Sequence, residues 1–138
     1  MGYDESFVAP MRAELTRVGV RELRTPADVD AALQGTRGTT LVVVNSICGC
    51  AARNARPAVT LALAQGKRPD ALTTVFAGQD VEATARARGY MTGRAPSSPS
   101  IALFKDGALA FMLERRDIEG RDAAAIARDL TAAFERLC

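Results

Sequence analysis

The run Leu41-Val42-Val43-Val44-Asn45 admits few positions in a folded chain. Successive side chains of a strand point to opposite faces, so a strand that is apolar at every step must be covered on both. The run therefore predicts a central strand in a sheet with helices on either side. Leu72 to Phe76 reads as a second buried strand of the same kind. Between them, after Ile47-Cys48-Gly49-Cys50, the residues Ala52, Ala55, Val59 and Leu63 form a helical stripe that Gly66 closes. Pro57 has no N–H to donate and is expected to kink that helix.

The flanking sequence supplies more elements. Phe7, Val8, Met11 and Leu15 recur at helical spacing from Glu5 to Thr16, predicting a leading amphipathic helix. Val20 to Leu23 alternates as a short strand. Thr25-Pro26 opens a helix with Thr25 as N-cap, burying Val29, Ala32 and Leu33 before Gly35 ends it. Asp80 is expected to cap a helix running to about Arg88, and Gly89 to Ser98 is a loop. Ile101 to Phe104 and Leu109 to Leu113 read as strands joined by Asp106-Gly107, a strong hairpin signal. A closing helix from about Arg121 to Leu137 buries Ala124, Ile126, Ala127, Leu130, Ala133, Phe134 and Leu137.

Strands alternating with helices imply parallel pairing, and a terminal hairpin adds antiparallel strands. The expected fold is α/β: a thioredoxin-like three-layer sandwich with a mixed sheet of about five strands and an additional N-terminal helix. Residues 1–138 form one domain, with 1–18 as a helical arm that packs on the domain or on a second chain.

Composition narrows the function. Apolar residues make up 48% and charged residues 25%, the balance of a soluble globular chain. A net charge of +2, no Trp and only two Tyr argue against nucleic acid as the main partner. No stretch is long enough to span a membrane. The acidic start Met1-Gly2-Tyr3-Asp4-Glu5 does not read as a secretory signal, although Gly2 with Ser6 formally fits a myristoylation pattern. Three cysteines make no disulfide framework, so the expected location is cytoplasmic, where a cysteine pair serves catalysis or metal binding. The chain has no histidine, which removes every Ser-His and Cys-His arrangement.

Cys48-Gly49-Cys50 then carries the chemistry. A helix N-terminus offers free N–H groups and about half a positive charge, which favour a thiolate. Cys48, nearer the helix start, is the expected nucleophile. Cys50 is placed to resolve a mixed disulfide on it, with Gly49 letting the backbone bend. One intervening residue closes a smaller ring than Cys-x-x-Cys, so the disulfide should be strained and its potential more oxidising than thioredoxin's, about −270 mV. Two other readings stand beside this one: a pair of small buried hydrophobes, and a Cu(I) site. Zn²⁺ would need more ligands than the pair supplies, and Cys138 could add one only if the C-terminus folded back. Otherwise Cys138 reads as a partly buried thiol at a helix end, or as a resolving or regulatory one.

Ser97-Ser98-Pro99 precedes a strand, and a cis Pro99 would turn the Ser98 backbone toward the cysteines and offer it to an extended substrate. Arg53, Arg56 and Arg94 are candidates to attract an anionic thiol, against the plainer reading of solvated surface arginines. Gly78-Gln79-Asp80 reads as a turn and cap.

The segment Thr39 to Ala52 with Asn54-Ala55-Arg56-Pro57, together with Val75 to Asp80, Pro96 to Ser100, Ala102 to Gly107, Arg115 to Gly120 and Pro10 to Arg12, resembles the bacilliredoxin family over essentially the whole chain. The resemblance implies a thioredoxin-like fold and removal of bacillithiol from cytosolic proteins. Cys48 would take the bacillithiol from the client, and Cys50 or a further bacillithiol would clear it. It also implies bacillithiol as thiol co-substrate with no bound cofactor, bacillithiolated proteins as partners, and neither nucleic acid nor membrane. Disulfide isomerisation is the alternative within the same chemistry.

Overall fold

The computed structural model describes residues 2–138. Strand β2 (Thr39–Asn45) is buried at every position and lies in the middle of a five-stranded sheet. The other strands are β1 (Arg21–Glu22), β3 (Ala71–Phe76), β4 (Ser100–Lys105) and β5 (Ala108–Leu113), in the order β1-β3-β2-β4-β5. Strand β3 pairs in parallel with β1 and β2, while β4 runs antiparallel to β2 and β5. The sheet is mixed because β4 and β5 form the expected hairpin. Asp106 (φ 52°) and Gly107 (φ 81°) are both left-handed, as a two-residue turn that follows the strand twist requires.

Helices α2 (Pro26–Leu33) and α4 (Val81–Tyr90) cover one face, against Val42, Val44, Ala102 and Phe104. The other face, with Leu41, Val43, Ile101 and Leu103, receives α3 (Arg56–Leu63) and α6 (Ala123–Leu137), plus Leu15 of α1 (Glu5–Thr16). A four-residue helix, α5 (Arg115–Ile118), joins β5 to α6. Local signals set the helix starts: Thr25 and Asp28 form a reciprocal capping box on α2, and the Asp122 carboxylate accepts from the Ala125 N–H of α6.

Several expectations need correcting. Phe7 is 52% exposed, and the buried face of α1 is Val8, Arg12 and Leu15. Arg12 is inside because it finds partners there. It meets Glu5 at 2.6 Å and Asp80 at 2.8 Å, and its guanidinium lies 5.3 Å from the Phe76 ring centre. These partners outweigh burial and push the Arg12 pKa up. Asp80 stands at the N-cap of α4, but its side chain makes no cap bond; its carboxylate goes to Arg12 instead. Ala124 is exposed, since the buried stripe of α6 runs through Ile126, Ala127, Leu130, Ala133 and Phe134. Ala52 is likewise exposed, and Ala51, Ala55, Ala58, Val59 and Ala62 are buried.

The kink expected at Pro57 takes the form of a π turn over Ala51–Ala55, with Pro57 in the first turn of α3 behind it. The Arg56 N–H reaches past the α-helical acceptor to the Ala51 carbonyl. Proline cannot donate to the preceding turn and its ring crowds the carbonyl there, which a wider turn relieves.

Candidate active site

The site begins where β2 ends. The Asn45 carboxamide oxygen accepts from the Ser46 N–H at 2.9 Å and from Arg56 Nη1 at 2.8 Å. Arg56 Nη1 also donates to the Ser46 carbonyl at 2.9 Å, and Arg56 Nε donates to Glu14 at 3.0 Å. Arg56 is only 2% exposed. The expectation that it meets a substrate is therefore corrected: Arg56 is buried, and its Nε and Nη1 donors are committed inside the protein, where Nη1 locks the Asn45-Ser46 backbone.

Ser46, so fixed, turns its hydroxyl to Cys48 and donates to Sγ at 3.2 Å. Cys48 stands at the start of the helix, its carbonyl accepting from the Ala51 and Ala52 N–H groups at 3.1 and 3.2 Å. Burial of the sulfur opposes its ionisation. The Ser46 hydroxyl, the Ala51 and Cys50 N–H groups and the Arg115 charge outweigh that, and the Cys48 thiol lies below its ordinary pKa. Cys50 goes the other way. Burial, the neighbouring Cys48 and the Glu119 carboxylate push its pKa up, with Arg115 opposing. Its thiol donates to Glu119 Oε2 at 3.6 Å. All three cysteines are free.

Gly49 is not among the glycines with positive φ, so in this reduced form no unusual bend calls for it. A Cβ there would stand 2.6 Å from Arg53 Nη2. The absent side chain leaves room for that guanidinium to lie across the motif.

An open groove of about 320 Å³ passes Cys48, lined by Ser46, Ser98, Arg88 and Arg115 among others. The Ser98-Pro99 peptide is cis, Pro99 is buried, and the Ser98 carbonyl accepts from Arg115 Nη1 at 3.3 Å. Arg115 Nη2 also lies 3.2 Å from Glu119 and 3.9 Å from Cys50 Sγ. Arg94 instead pairs with Glu114 at 2.7 Å and does not line this groove. Cys138 is exposed rather than partly buried, at the far end of α6. That helix spans about 22 Å at 1.5 Å per residue, and its other end adjoins the site, where Asn54 donates to the Arg121 carbonyl. Cys138 thus cannot add a ligand to the pair. Among the described residues no three His, Cys, Asp or Glu side chains converge as a metal site.

Ser46, Arg88, Arg115 and Glu119 went unassigned in the sequence. Arg115 and Glu119 do carry a signal: they sit four apart, and Glu114 with Asp117 has capping-box spacing that marks a helix start beside the site.

Residues 3–138 match the family described as disulphide isomerase. The chain is 57% identical to a bacilliredoxin of Salinibacter ruber, covering all of this chain and 82% of that one. It is 56% identical to a bacilliredoxin of Geobacillus kaustophilus, covering 96% and 90%. The chain belongs to the bacilliredoxin family. Its activity is accordingly that of a thiol–disulfide oxidoreductase. Solved thioredoxins share its fold at low identity. Mitochondrial thioredoxin 3 of Saccharomyces cerevisiae superposes with a TM-score of 0.57 at 16% identity, covering 90% of this chain and 99% of that one. A thioredoxin of Malassezia sympodialis gives 0.56 at 14%, covering 86% and 90%. Among the described residues no helix is long and apolar enough to cross a membrane.

Proposed function

We propose that this bacilliredoxin-family chain removes bacillithiol from mixed disulfides on cytoplasmic client proteins. The observation that carries this reading is the placement of two free thiols one residue apart in opposite surroundings: Cys48 takes the Ser46 hydroxyl bond and faces a groove, while Cys50 is held by the Glu119 carboxylate. The Cys48 thiolate attacks the bacillithiol sulfur. A new S–S bond forms, the old one breaks, and the client leaves as a thiolate. Cys50, losing its proton to solvent, then attacks Cys48 Sγ, releasing bacillithiol and leaving a Cys48–Cys50 disulfide. Two external bacillithiols reduce that disulfide by successive exchanges: the first re-forms the mixed disulfide on Cys48 and frees Cys50, and the second attacks the bound bacillithiol sulfur and leaves with it as bacillithiol disulfide. The exchange moves bonds between sulfurs and calls for no bound cofactor.

Ser98 and Pro99 supply the backbone edge along which a client segment lies, and Arg53, spread over Gly49, adds positive charge at the motif. Arg115 ties the Ser98 carbonyl to the Cys50–Glu119 pair.

Reduced Cys50→Ala protein, mixed with one client carrying bacillithiol and one carrying glutathione, tests the reading by intact mass. The bacillithiol moiety should appear on Cys48 and faster than glutathione. Equal rates would leave a general thiol exchanger, and no transfer from either would overturn Cys48 as nucleophile. The family's description favours isomerisation as a second reading. Refolding of a scrambled disulfide protein at a rate indifferent to bacillithiol would establish it.

A further inference from the structure

Among the described arginines that form no ion pair, Arg88 is the one that is not exposed. Its stem packs beside Met91, Pro96, Ser97 and Met112 around a small enclosed space of about 10 Å³. A guanidinium carries several donors in a fixed fork. Among the described residues this one has a single partner, the Ser97 carbonyl, 3.3 Å from Nη2. Its Nε is buried with no acceptor at all. Burial lowers its pKa, and no carboxylate offsets that. A cation held this way costs stability, and the Ser97 carbonyl is its only internal compensation among the described residues.

The same residue lines the groove that passes Cys48. The other lining residues are Tyr3, Ser46, Ile47, Ala77, Gly78, Ser98 and Arg115, so two guanidiniums border the groove and no carboxylate does. They are not equivalent. Arg115 is already matched by Glu119 at 3.2 Å, whereas the charge of Arg88 is unmatched. A partly desolvated guanidinium with free N–H groups fits a carboxylate in paired geometry.

We propose that Arg88 is a specificity residue of the groove, binding a carboxylate on the sulfur partner that exchanges with Cys48. This rests on Cys48 being the nucleophile. The carboxylate belongs either to the small thiol itself or to an acidic side chain beside the client cysteine, and the two sources separate experimentally.

The test uses the full chain carrying Cys50→Ala, with Cys48 reacting with a small aromatic disulfide bearing two carboxylates or with its neutral diamide. Wild-type Arg88 should favour the dicarboxylate about tenfold at low salt, equivalent to about 1.4 kcal/mol, and less as salt rises. Arg88→Gln should erase the preference by slowing the dicarboxylate alone, leaving the diamide within about twofold. Arg88→Lys, keeping charge without the fork, should restore part of it. A second pair, peptide disulfides flanked by Glu or by Gln, locates the carboxylate. Discrimination among the small disulfides assigns it to the thiol, and discrimination only among the peptides assigns it to the client. Absence of preference in both wild-type pairs overturns the proposal whether or not the variants fold, and so does an equal slowing of charged and neutral probes in Arg88→Gln. Failure of Cys48 to react with any probe, including neutral iodoacetamide, would instead overturn the nucleophile assignment.

Discussion

Ser46 and Cys48 exchange two hydrogen bonds across a single residue: the serine hydroxyl donates to the sulfur at 3.2 Å, and the Cys48 N–H points back to the same oxygen at 3.4 Å. The hydroxyl can donate to Sγ only while its oxygen stays near that N–H, so the bond is preset before any substrate arrives. Ser46 itself is buried. It acts by holding the reacting group, as a positioning residue.

Replacing Ser46 with Ala should raise the Cys48 pKa, because the hydroxyl bond that favours the thiolate is lost. The kinetic consequence has a crossing point. Below the pKa the thiolate fraction falls, but nucleophilicity rises with basicity and offsets part of the loss, so alkylation slows only modestly, about two- to threefold. Well above the pKa the variant should react faster than the parent. The pH profile of iodoacetamide alkylation in a Cys50→Ala background checks both limbs. An unchanged midpoint would remove Ser46 from the site.

Glu119→Gln acts on the other thiol. The carboxylate and its hydrogen bond help hold Cys50 protonated, so the amide should lower the Cys50 pKa. Alkylation of Cys50 in Cys48→Ala protein near pH 8 should speed up about two- to fivefold, with the gain shrinking at high salt because Glu119 is exposed.

Arg56→Met tests the buried scaffold. It leaves the Ser46 carbonyl without this donor and Asn45 with one fewer, costing about 2–4 kcal/mol in denaturant unfolding. Once Ser46 loosens, the Cys48 alkylation midpoint should also move up, in the same direction as in Ser46→Ala. A loss of stability with no movement of the midpoint would confine Arg56 to the fold.

The Cys48–Cys50 disulfide should have a potential above thioredoxin's, about −270 mV, because its ring is smaller by one residue. Equilibration in glutathione buffers with mass readout measures it. A value at or below that of thioredoxin would remove ring strain from the account.

The elements governed by local rules were legible. The all-apolar run of β2, the Asp106-Gly107 turn and the Thr25-Pro26 start each depend on residues a few positions apart. So was the position of the cysteine pair between β2 and the following helix, because a strand-to-helix junction is itself a local feature. What escaped was the placement of charge. Arginine reads as solvated surface until its partners are known, and those of Arg12 and Arg56 come from afar: Asp80 for the first, Glu14 and Asn45 for the second. Phe7 was misplaced for the related reason that Arg12, carrying its own counter-charges inward, occupies the face of α1 that turns to the protein. Arg88 and Arg115 join the groove only once α4 and α5 come to rest beside the helix start of Cys48.

The π turn at Ala51–Ala55 lets two incompatible clocks run in one helix. Each α-helical residue advances the side chains by about 100°. The Cys48-Gly49-Cys50 end is timed by the groove, while Ala58, Val59 and Ala62 are timed by the interior facing α6. The wide turn absorbs the mismatch. Deleting any one residue between Ala51 and Ala55 would reset one clock against the other, and either the thiols or the core would turn to the wrong side. Point substitutions at the exposed positions Ala52 and Arg53 carry no such penalty. In this stretch length is under tighter constraint than identity.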